Sequence, residues 1–153
     1  MSDQEATTAI AMLRRALFAI FLFGMAGSGV ELILLNHMED RRQWIPLILL
    51  LLGFLVSGWH AVRWTPHSVR VLQTLLLGFI LSGFAGIYFH YQGSAEFKLE
   101  SNPSLAGWDL VREAIRAKAP PLLAPGVMIQ LGFLGLVYTY RHPALDRTTK
   151  KGE

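Results

Sequence analysis

The chain has no cysteine. That removes disulfides, thiolate metal sites, thiol catalysis and covalent haem attachment through a Cys pair. Several motifs are also missing. Gly24, Gly27 and Gly29 sit inside an apolar block and match neither a phosphate-cradling loop nor a dinucleotide loop, and no HExxH or other compact ligand spacing occurs. Ser28 and Ser57 have no His/Asp partner at a recognisable spacing, so nucleophilic catalysis is not indicated and no enzyme is expected. The net charge is +3, but the basic residues lie mostly at the edges of apolar blocks. There they serve topology, and no clustered basic face exists for nucleic acid.

Charge is scarcest inside four apolar blocks, at about 16–35, 44–62, 71–91 and 121–140. Each has the length of a membrane-spanning helix. In lipid every backbone polar group needs an internal partner, which helices provide and isolated strands do not. The alternating ten-residue segments of an outer-membrane barrel are absent. The expected fold is an all-α integral membrane protein: one domain over 1–153, forming a four-transmembrane-helix bundle in the lipid bilayer.

Residues 1–12 read as a short polar lead, followed by Arg14 and Arg15. Gly24-Met25-Ala26 resembles a signal-peptide cleavage site, but the apolar pattern runs past it, so a retained first helix is expected. Trp44 and Pro46 open the second block, Pro46 in the first turn. Between the third and fourth blocks, Asn102-Pro103 looks like a helix start. Leu105, Trp108, Val111 and Ile115 then recur at helical spacing, which predicts a short amphipathic interfacial helix over about 103–118. Placing the N-terminus inside puts eight Lys/Arg (14, 15, 63, 70, 141, 147, 150, 151) inside and six (41, 42, 98, 112, 116, 118) outside. The expected location is the inner (plasma) membrane, with both termini cytoplasmic.

Small residues recur at intervals of four: Gly24/Ser28, Gly53/Ser57 and Gly78/Ser82/Gly86. Such stripes let helix backbones approach closely in a bilayer. Glu31, His60 and His90 follow them at offsets of three or four, which places ionisable groups on the packing faces. His60, between Trp59 and Trp64, reads as an interfacial anchor.

Glu31 is an acid inside an apolar span, a position that marks a polar interior or a functional site. With His37, His90, Glu96 and Glu100 it forms a candidate proton, ion or metal site at the outer end. The leading functional expectation is an accessory or assembly subunit of a membrane complex, partnered by other membrane subunits or by itself. The alternative is a small proton- or ion-coupled transporter, or a metal-binding protein, using the Glu31/His90 cluster. A second alternative is b-type haem electron transfer through paired histidines.

Overall fold

The computed structural model describes residues 2–117 and 124–145, and no strand occurs among them. Five α-helices follow in order: α1 Asp3–Leu34, α2 Trp44–Arg63, α3 Pro66–Ser101, α4 Gly107–Ile115 and α5 Gly126–Thr139. A 3-10 turn, Arg41–Gln43, leads into α2. The helices α1, α2 (with that turn) and α3 are each long and apolar enough to cross a membrane, and α5 is a shorter apolar helix.

Local chemistry sets the helix ends, and it moves several expected boundaries. The polar lead is helical. Ser2 Oγ accepts the Glu5 N–H at 3.3 Å, and the Glu5 carboxylate accepts the Ser2 N–H at 2.8 Å, a capping box that starts α1 at Asp3. Apolar periodicity marks only the buried part of a helix, so it missed these turns. In the same way α3 runs ten residues beyond 91, to Ser101. Asn102 therefore follows the end of α3 and starts no helix. Its Oδ1 accepts from the Ser104 N–H and hydroxyl at 3.2 and 2.7 Å, an Asx-type turn. The helix expected over 103–118 is accordingly the shorter α4, Gly107–Ile115. The Lys98 Nζ–Glu113 Oε2 ion pair, 3.0 Å long, fastens it back along α3. The start of the fourth block (121–123), the end of the amphipathic segment (118) and the basic tail (146–153) lie outside the described residues.

The α1–α2 connection is a Schellman turn. Asn36 takes positive φ (51°), the His37 N–H donates to Leu32 O at 2.9 Å, and the Asn36 N–H donates to Ile33 O at 3.0 Å. Asn tolerates this left-handed position better than most residues. The turn folds His37 back toward the bundle.

The core lies where α3 crosses the other helices, with Phe21, Met25, Leu72, Leu76, Phe79 and Leu131 at its centre. Backbones touch there. A Cβ on Gly132 would sit 2.8 Å from Leu76 O, and one on Gly83 would sit 3.0 Å from Pro125 O and from Ile129 N. Along the small-residue stripes the fit varies. A Cβ on Gly53 would meet Met25 Sδ at 2.7 Å, one on Gly24 would meet Leu131 Cδ2 at 2.7 Å, and one on Gly78 would find ordinary contact, 3.7 Å from Leu49.

Candidate functional site

Two polar centres occupy opposite ends of the bundle. The distal end is where α1 finishes, α2 begins and α5 begins. The proximal end is where α2 and α5 finish and α3 begins.

At the distal end the helices part around a cavity of about 560 Å³. Gly86 and Ser82 keep its α3 wall thin, and Ser28 lies one turn further into the bundle on α1. The cavity brings together four of the five candidate residues: Glu31 from α1, His37 from the Schellman turn, and His90 and Glu96 from α3. The His37 and His90 ring centroids are 6.4 Å apart. Burial, reinforced by His90, lowers the His37 pKa from its ordinary value. Glu100 is exposed on α3 and does not line the cavity.

Glu31 is exposed to the cavity rather than sealed between helices, and it makes no hydrogen bond or ion pair with a described residue. Arg42 lines the same wall, its Cζ 4.6 Å from the Phe89 ring centroid. The loop below is held by Gln43, whose Oε1 accepts from the Glu39 and Asp40 N–H groups at 2.8 and 3.2 Å. Among the described residues no three His, Asp or Glu side chains gather closely enough to hold a metal ion.

The proximal end holds a buried cluster that sequence spacing only hinted at. His60 is fully buried, not an interfacial anchor. Its Nδ1 lies 2.9 Å from Ser68 Oγ and its Nε2 lies 2.8 Å from the Tyr138 hydroxyl. Ser68 O–H donates to Thr65 O at 2.9 Å, so its oxygen is left to accept. One arrangement satisfies every atom: Tyr138 O–H donates to Nε2, and His60 Nδ1–H donates to Ser68. Both His60 nitrogens are therefore engaged.

His142 packs beside it, ring centroids 5.0 Å apart, and is also fully buried. The Ala144 N–H donates to His142 Nδ1 at 3.2 Å, which leaves the proton on Nε2 without a partner among the described residues. Arg14 of α1 closes this end. Its guanidinium donates to the carbonyls of Tyr138, Tyr140 and Arg141 at 2.6, 3.2 and 3.3 Å, the otherwise open C-terminus of α5. The signal for this cluster was present in sequence as Arg14, His60 and His142 at block edges, but nothing along the chain told which edges meet.

Compared with family models, with curated proteins and with solved structures, the chain matches none.

Proposed function

We propose that this chain is a small inner-membrane protein that captures a solute in its distal cavity, with Glu31 as the engaging carboxylate, and couples that capture to ion or proton movement. The supporting observation is the cavity itself. Two segments distant in sequence, the end of α1 with its turn and the far part of α3, place Glu31, His37, His90 and Glu96 around one space of about 560 Å³. That volume falls within the usual range for small-molecule sites, about 300–1,000 Å³. In the proposed topology α1, α2, α3 and α5 each cross the bilayer, both termini are cytoplasmic, and the cavity opens outward. The helix α4 lies in the interface, presenting exposed Trp108 and Ile115.

The second reading, an accessory subunit of a membrane complex, draws on the exposed apolar residues of the α3–α4 hairpin, Phe97, Trp108 and Ile115. A partner subunit would cover them as well as lipid headgroups would.

Cysteine labelling tests the binding role directly, because the chain has no cysteine of its own. Ala85 lines the cavity and Phe84 faces outward from the bundle at the same depth. A membrane-impermeant thiol reagent is expected to label Ala85→Cys at the rate of a loop residue and to leave Phe84→Cys unreacted. Equal inertness at both positions would remove the water-accessible cavity and the capture role with it.

A further inference from the structure

We propose that the distal cavity takes a lipophilic organic cation: an amine or onium group carried on an apolar body. The inference rests on the capture role above and names its ligand class. Three carboxylates line the cavity, Glu31, Asp40 and Glu96, and none is in an ion pair with a described residue. Among the described residues the wall carries one guanidinium, that of Arg42, and it is drawn over Phe89. Among the described residues, three carboxylates against one guanidinium leave the wall with two acids in excess. Carboxylates at the edge of a low-dielectric slab are costly without a countercharge, and they focus the field that attracts one.

The remainder of the wall says what kind of cation. Leu32, Ile45, Phe89, Val127 and Met128 line it with hydrocarbon. Such a surface contributes nothing to a hydrated inorganic ion and does contribute to an apolar body, through the area removed from water. No three acid or imidazole donors converge on a point among the described residues, so those residues offer a bare metal ion no three-ligand shell. Ser28 adds a polar contact at depth. It is only 7% exposed, lines the cavity, and its hydroxyl makes no hydrogen bond to a described residue. That hydroxyl supplies an acceptor for an N–H of an amine. An anion meets two excess negative charges at the same wall.

The test is equilibrium dialysis of the detergent-solubilised full-length protein against tetraphenylphosphonium and its near-isosteric anion, tetraphenylborate. Size and apolar surface are shared, so only the sign of charge differs. The phosphonium is expected to bind saturably at one site per chain, and the borate at least about tenfold more weakly. The double variant Glu31→Gln/Glu96→Gln keeps the shape of both side chains. It is expected to lose at least about tenfold in phosphonium affinity and to narrow the gap between the two ions. Glu100→Gln removes a charge from the same helix outside the cavity and is expected to bind as the parent does. Helicity and elution volume check that each variant is folded, and the single Glu96→Gln change serves if the double variant is not.

Borate binding as tight as phosphonium, or a double variant with undiminished affinity, would overturn the ligand class and leave the capture role standing. Absence of saturable binding by either ion would overturn the capture role too.

Discussion

At the scale of single residues, the two polar centres are opposites. The carboxylates lining the distal cavity form no ion pair with a described residue, whereas every polar atom of His60 is satisfied inside protein. His142 is the exception at the proximal end, and it makes the fold sensitive to acid. It lies beyond the end of α5, where burial, then His60 and Arg14, push its pKa down to about 4 from 6.5. The folded chain therefore keeps it neutral between those values while the unfolded chain takes up a proton. Stability rises with pH wherever the unfolded state binds more protons. The contribution is complete above about pH 6.5, is lost progressively as pH falls toward 4, and changes no further below that. At 1.36 kcal/mol per unit, the loss from this one group is at most about 3 kcal/mol. Thermal melts in detergent from pH 7.5 to 4.5 measure it. His142→Asn offers an Oδ1 acceptor to the Ala144 N–H and does not titrate, so its melting temperature is expected to fall less over the same range. Equal slopes for parent and variant would show that His142 is not the group responsible.

At the scale of elements, what decides the packing is which glycine faces backbone and which faces the flexible end of a side chain. A methyl group on Gly83 would press on Pro125 O and Ile129 N, and one on Gly132 would press on Leu76 O. Neither backbone can yield without moving a helix, so Gly83→Ala and Gly132→Ala are each expected to destabilise by about 1–3 kcal/mol. Gly78 meets Leu49 at an ordinary 3.7 Å, and Gly78→Ala is expected to be neutral or slightly stabilising, since Ala favours helix. Reversible unfolding in mixed micelles ranks the three, and a Gly78→Ala change as damaging as Gly132→Ala would contradict the assignment. The contrast also shows what one sequence makes legible. Spacing by four singled out Gly24, Gly53 and Gly86, each of which meets a side chain closely, but it passed over Gly83, Gly132 and Gly135, where α3 and α5 come together. A stripe reports that a helix face is small. Only the crossing point tells which position on it touches backbone, and that is fixed by the partner helix. The same limit applies to the sites. Glu31, His37, His90 and Glu96 were readable because an ionisable group near an apolar block stands out. The His60–Tyr138 pair was not, because 78 residues separate its members. The overhanging ends of α1 and α3 were missed because a capped polar helix has no apolar periodicity to betray it.

At the scale of the whole molecule, the question is whether α5 crosses the bilayer with the three long helices. It has 14 residues, about 21 Å of helix, against a hydrocarbon core of about 30 Å. Its two ends nevertheless mark both ends of the bundle. Pro125 lies against Gly86 on α3, and Tyr138 joins Ser68 on α3 through His60. From Ser68 to Gly86 the helix rises about 27 Å, close to the core thickness. So α5 runs past nearly the full buried length of α3, with the Tyr138 and His60 side chains spanning the rest. Arg14 fixes the same depth from α1, since it holds the last carbonyls of α5. On the proposed reading, with four crossings and Arg14 and Arg15 inside, residues 2 and 151 would be reached from the cytoplasm and residue 104 from outside. Single cysteines at Ser2, Ser104 and Lys151 test each step on intact cells with an impermeant maleimide. Ser104→Cys is expected to react before permeabilisation, and Ser2→Cys and Lys151→Cys only after it. If Lys151→Cys also reacted from outside, α5 would not cross, and the bundle would have three spans. If the whole pattern were inverted, the four crossings would stand and the cavity would face the cytoplasm, so that the carboxylates would meet their cation from within the cell.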